Sequence, residues 1–307
     1  GVEITFENTT SWDSWRFIRA WDGHKTLEWG ELIERFPESY RHPWIYEAPH
    51  QVAQFRGADA KTRVEVYYAL PAEQVAHQEV KSGLHAVDLR KGLFLFDADW
   101  DTVRQEVVSI VNMPWIEDRK SEEGYLLWGE RLALGPGVCR LAVEAEDRTT
   151  KRTGTFRDSM VVRSYGGDTL MVSDVLLARR IVEQEDRPFG RDRFMVLPNP
   201  LKQSGRNRQA WFYFEVYNLK RDEFGATNYR ISYQMRRLAE TPAPGNSVPE
   251  WTTAVSHTFR RSRAWEPHHL ALDLKDTAPG LWAFRVVVDD LQGEAQAMAS
   301  TGFRVVW

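Results

Sequence analysis

The chain has 307 residues, 42% hydrophobic and 27% charged, which excludes an intrinsically disordered polypeptide and exceeds what one small sandwich needs. A formal net charge of −4, with arginines scattered among acids, leaves no electrostatic footprint for nucleic acid or an anionic membrane. A single cysteine, Cys139, excludes an intrachain disulfide, and no apolar run approaches the ~20 residues of a membrane-spanning helix.

Residues 1–61 read as an aromatic-rich extension. Gly1-Val2-Glu3-Ile4 lacks the basic start and apolar stretch of a signal peptide. Trp12, Trp15, Phe17 and Trp21 read as an aromatic docking segment, and a strand with alternating faces fits them too. Trp29, Ile33 and Phe36 fall at i, i+4 and i+7, so the spacing predicts a short helix over Thr26–Phe36, stopped by Pro37. Residues 37–61, rich in Pro, His and Tyr, read as an extended linker.

From residue 62 the hydrophobic period becomes two. Arg63 to Leu70 alternates and ends at Pro71, a strand signature. Strand-like runs follow at 84–96, 104–112, 124–133, 138–146, 158–164 and 169–172, separated by turn residues such as Gly135-Pro136-Gly137 and Gly166-Gly167-Asp168. Residues 173–184 fit a short helix or a closing strand, with a strand or irregular segment favoured. The Arg-, Pro-, Gly- and Asn-rich stretch 186–208 marks a domain boundary, placed at 197/198. Beyond it, strands are expected at 210–219, 228–238, 257–261, 268–274, 281–289 and 302–306.

An internal repeat points to two copies of one fold. Glu65-Val66-Tyr67-Tyr68 opens the first block and Glu215-Val216-Tyr217-Asn218 the second. Pro136-Gly137 leads to Asp147, and Pro279-Gly280 leads to Asp290, at the same spacing. The expected fold class is all-β: two tandem immunoglobulin/fibronectin-III-like antiparallel sandwiches over 62–197 and 198–307 behind the extension 1–61.

Several stretches carry a family likeness: Val52-Ala53-Gln54-Phe55-Arg56-Gly57, Val64 to Pro71, Ser173-Asp174-Val175-Leu176-Leu177-Ala178, Pro198-Asn199-Pro200 and Tyr213 to Leu219. In this order they resemble the C-terminal region of the GWxTD-domain proteins, a bacterial family of poorly understood function. The Gly-Trp-x-Thr-Asp motif itself is absent from this chain. The resemblance implies an envelope (periplasmic) or secreted protein with no known catalytic residues.

Few constellations offer chemistry. Asp97, Asp99 and Asp101 alternate as in a calcium loop, but Thr102 and Val108 stand where an EF-hand wants Gly and Glu; an acidic hairpin turn fits the same residues. Glu266-Pro267-His268-His269 presents zinc-ligand types, yet adjacent histidines on a strand point to opposite faces. No nucleophile elbow or phosphate loop occurs. Catalytic residues, a metal and a cofactor are therefore not expected; the enzyme alternative is a site assembled from distant residues. The expected function is a non-catalytic binding or scaffold protein that contacts another protein, as a subunit of a larger assembly, through a sandwich face, an edge strand or the aromatic arm. Trp12, Trp15, Trp21, Trp115, Trp251 and Trp265 are the candidate contact residues. The alternative is a carbohydrate-binding module that stacks sugars on exposed tryptophans.

Overall fold

The computed structural model describes residues 45–71, 75–76, 78–81, 84–99, 102–114, 125–150, 153–183, 194–239 and 250–307. The expected helix over Thr26–Phe36, together with Trp12, Trp15, Trp21, Asp101 and Trp115, lies outside these residues. Nineteen strands and no helix occur among the described residues. In chain order the first nine are β1 (Ile45–Glu47), β2 (His50–Arg56), β3 (Thr62–Pro71), β4 (Gln78–Lys81), β5 (Leu84–Phe96), β6 (Thr102–Pro114), β7 (Tyr125–Leu134), β8 (Gly137–Asp147) and β9 (Thr153–Val162). Then come β10 (Met171–Val172), β11 (Leu176–Glu183), β12 (Phe194–Pro198), β13 (Gln203–Gly205), β14 (Gln209–Tyr217) and β15 (Thr227–Arg237). The chain closes with β16 (Thr252–Arg261), β17 (Trp265–Asp273), β18 (Gly280–Asp290) and β19 (Ala295–Val306).

The protein is all-β, and one strand-pairing scheme occurs twice. In the first set the sheet order is β6-β5-β8-β9-β1, with β4 also beside β5. In the second set it is β16-β15-β18-β19-β13. Each ends in a short strand pairing parallel to its neighbour, β1 to β9 and β13 to β19. The partner sheets also correspond: β3 pairs with β7 as β14 pairs with β17. This is the connectivity of an immunoglobulin-like sandwich.

The repeat extends to individual hydrogen bonds. Gly137 and Gly280 open β8 and β18 with φ of 144° and 134°, a backbone region that side chains disfavour. Asp147 Oδ1 then accepts the Thr149 and Thr150 N–H at 2.9 and 3.2 Å, and Asp290 Oδ1 accepts the Gln292 and Gly293 N–H at 3.0 and 3.1 Å. The second oxygens reach back to the loop after the opening strand, to Ala76 N–H and Lys220 N–H respectively. Both aspartates are buried, and each pins three backbone N–H groups.

Two segments expected to be irregular are strands. His50–Arg56 falls in the stretch read as a linker, yet it pairs antiparallel with β3 from His50↔Tyr68 to Arg56↔Thr62. Its Gln and His content masks an alternating burial that places Ala53 and Phe55 in the core. The boundary stretch 186–208 contains β12 and β13. β19 starts at Ala295, well before the expected 302, because Ala295, Ala297 and Ala299 face inward and alanine gives little strand signal.

The chain forms two compact units interleaved along the sequence. Among the described residues, one takes Ile45–Pro49 and those within Ala69–Trp128 and Pro136–Val162; the other takes those within His50–Tyr68, Gly129–Gly135 and Arg163–Trp307. Within the second unit, β14 is buried on both faces. Ala210, Phe212, Phe214 and Val216 face the β15-β18-β19 sheet and share a core with Tyr229, Ile231, Phe284, Val286 and Phe303. Phe212 and Phe284 stack there at 3.8 Å. The odd-numbered residues face the opposite way, where Tyr213 packs with Ala53 and Phe55 of β2 and with Leu176, Ile181 and Phe194. A strand covered on both sides explains the near-continuous apolar run 210–219.

Candidate functional site

The repeated Glu-Val-Tyr segment builds the most polar part of the second unit's interior. Residues two apart on a strand share a face, so each glutamate lies beside the tyrosine that follows it. Tyr67 Oη donates to Glu65 Oε2 at 2.8 Å, and Tyr217 Oη donates to Glu215 Oε2 at 2.7 Å. Glu215 also accepts from Tyr213 Oη on Oε1 and from Trp265 Nε1 on Oε2, both at 2.9 Å. Arg63 joins the two carboxylates: its Nη2 lies 2.6 Å from Glu215 Oε1 and its Nε 3.2 Å from Glu65 Oε1. Arg131 of β7 adds a second cation 3.4 Å from Glu65.

Both glutamates are sealed, with relative exposures of 0% and 2%. Two donors on each oxygen use up the acceptor capacity of Glu215. Burial, and next the Glu215 charge, raise the pKa of Tyr217, which keeps its hydroxyl protonated and donating. Tyr217 Oη in turn accepts the Arg56 N–H at 2.9 Å, tying β2 to β14. This is a closed charge pin that holds β2 and β3 against β14.

An accessible groove of about 340 Å³ lies at the open side of the second sandwich, between β16 and β17. The register sets its lining. Tyr229, Ile231 and Tyr233 face the core, and their partners Phe259, His257 and Val255 put the same face of β16 inward. β17, in the facing sheet, pairs with β14 alone among the described residues. His257, Phe259 and Arg261 therefore meet Glu266, His268 and Leu270 across the groove. His268 is buried; its Nε2 lies 2.9 Å from Tyr229 Oη, and its ring sits 4.9 Å from Phe259 and 5.6 Å from Phe214. His269 points the other way, to Phe194 at 4.8 Å and Trp211 at 6.1 Å. The opposite-face reading of this pair thus holds. No three His, Cys, Asp or Glu side chains among the described residues come together to hold a metal.

The remaining sequence candidates separate in space. Trp265 is half-buried and held by Glu215. Trp251 is half-buried on the other side of the molecule's second sandwich, its ring 4.5 Å from the Arg236 guanidinium and 4.1 Å from that of Arg285. Asp97 Oδ1 accepts the Asp99 N–H at 2.9 Å, the geometry of an acidic turn. Cys139 is buried in β8, and burial pushes its thiol up to about 11. The Glu65–Arg63–Glu215 pin escapes motif search, although a glutamate inside the apolar run 210–219 is a signal that a cation waits opposite.

No family model matches the chain, and no curated protein matches it. Among solved structures, the chain is similar to the Escherichia coli alpha-2-macroglobulin activated by porcine elastase, at 11% identity and a TM-score of 0.22, covering 87% of this chain and 22% of that one. It is also similar to the Bacteroides uniformis beta-glucuronidase, at 8% identity and a TM-score of 0.25, covering 80% of this chain and 26% of that one. The chain spans about a quarter of the length of these structures, and likenesses this loose carry no argument about function.

Proposed function

We propose that this chain is a non-catalytic binding protein of the bacterial envelope or secreted fraction, and that it takes an extended segment of a partner polypeptide along β17. The location follows from the GWxTD resemblance. The contact is supported by one observation: the second edge of β17 carries no strand among the described residues, and the groove lined by β16 and β17 opens beside it. An added strand hydrogen-bonds along the backbone of such an edge, and its alternate side chains fill the groove. Phe259 and Leu270 supply apolar contact, and Arg261 and Glu266 set register by charge.

Selection of a displayed peptide library on the full chain tests this. Enriched peptides should bind the wild type and lose about tenfold or more in affinity to Leu270→Lys, which fills the groove. Absence of enrichment, or peptides indifferent to Leu270→Lys and Phe259→Asp, would sink the proposal.

A second reading, carbohydrate binding, is favoured by Trp251 alone, because its indole lies over two guanidinium groups on the outer face of the β15-β18 pair.

A further inference from the structure

Trp251 lies over an unusual charge arrangement. Tyr229, Ile231 and Tyr233 face the core, so Arg230, Ser232, Gln234 and Arg236 share the outer face of β15. Gln234 pairs with Arg285 and Arg236 with Ala283, which makes Arg236 and Arg285 diagonal neighbours on adjacent strands. At the near end of this face the charge is balanced, since Arg230 reaches Asp289 at 2.9 Å. At the far end it is not. Arg285 donates from Nε and Nη2 to the neutral Gln234 Oε1 at 2.8 and 2.5 Å, and Arg236 meets the Trp251 ring. Neither guanidinium meets a carboxylate among the described residues. Desolvation, and then the Arg236 charge, lower the proton affinity of Arg285, as expected for two cations crowded under one indole.

Hydroxyl and amide groups surround the pair. Gln234 Nε2 donates to Thr253 Oγ1 at 3.3 Å, Ser232 and Ser256 hydroxyls lie 3.1 Å apart, and Ser300 sits opposite Arg285 in the β18-β19 register. A half-buried indole, two guanidiniums that meet no carboxylate among the described residues and a row of hydroxyls match a ligand that has an apolar ring face, a negative charge and hydroxyls on one unit. Resting on the carbohydrate reading above, we infer that this face binds a carboxylate-bearing glycan. A sugar ring stacks on Trp251, its carboxylate pairs with Arg285 and Arg236, and its hydroxyls meet Gln234, Thr253 and Ser256. An acidic peptide supplies the charge but makes no use of the indole face and the hydroxyl row together.

Titration calorimetry on the full chain, with three probes, tests this. A short oligogalacturonide should bind, with affinity falling as salt rises. Trp251→Ala and Arg285→Gln should each weaken it by about tenfold or more with unchanged far-ultraviolet circular dichroism, while Trp251→Phe restores part of the loss. The methyl-esterified oligomer, which keeps the rings and removes the charge, should not bind. If the ester binds as well as the acid, carbohydrate binding stands but the acidic-ligand inference falls. If polyglutamate binds equally, charge alone is read and the sugar assignment falls. If no glycan binds, the inference and the carbohydrate reading fall together.

Discussion

Glu215→Gln isolates the charge pin without changing side-chain volume. In the wild type, Oε1 takes the Tyr213 hydroxyl and Arg63, and Oε2 takes the Tyr217 hydroxyl and Trp265. The amide must present its own N–H groups toward one of these pairs. The tyrosine hydroxyls can rotate to accept, but the Arg63 and Trp265 N–H groups cannot. One fixed donor is therefore opposed in either orientation, and the Arg63 guanidinium keeps its charge while losing one of its two carboxylates. Breaking one side of a buried ion pair costs about 3–5 kcal/mol, against at most about 1 kcal/mol for an exposed pair. Urea unfolding followed by tryptophan fluorescence, with hydrogen exchange of the β3 and β14 amides, reads the loss. Pairing the change with Arg63→Met closes a cycle whose coupling should reach about 1–3 kcal/mol. A Glu215→Gln protein within about 1 kcal/mol of wild type, or an additive double mutant, would refute the assignment of this cluster as the pin.

Burial raises the pKa of Tyr67, Tyr68, Tyr165, Tyr217, Tyr229 and Tyr233, so folding favours their neutral forms. That stability is intact below the ordinary tyrosine value near ~10 and is lost as pH rises above it. Tyrosinate absorbance from these residues should appear together with alkaline unfolding; a smooth titration near pH ~10 in the folded protein would contradict it. The Cys139 thiol, pushed up to about 11, should react with a disulfide reagent at neutral pH far more slowly folded than in urea, and equal rates would show an open β8. Gly280→Ala, at φ 134° with the Arg237 guanidinium 3.4 Å from the new methyl, should cost about 1–3 kcal/mol in thermal unfolding; no change would mean that the β18 start relaxes freely.

Strand periodicity carries most of the β architecture, because half-buried strands such as β15 write their inward residues Tyr229, Ile231 and Tyr233 at alternate positions. The repeat was legible for the same reason, in Glu-Val-Tyr and in the Pro-Gly to Asp spacing. β2 was not, since Gln51 and Gln54 are buried polar residues whose role depends on distant partners, as when Arg163 N–H donates to Gln54 Oε1. Chain order also suggested serial domains, whereas His50–Tyr68 groups with residues beyond 163. The groove and the Trp251 face depend on which strands lie side by side, and no local pattern encodes that. Trp265 reads from the sequence as an exposed contact residue in a loop, whereas it opens β17 and its hydrogen bond to Glu215 ties one end of that indole to the interior.

The pairing of Arg63 with Glu215 also sets a timetable for biosynthesis. At about 5–20 residues per second, the ribosome delivers Glu215 roughly 8–30 s after Glu65, and through that interval Phe55, Glu65 and Tyr67 lack the strand that covers them. A chain stalled or cleaved before residue 209 would carry that half-built surface permanently, which makes early termination products of this protein natural clients for holding chaperones.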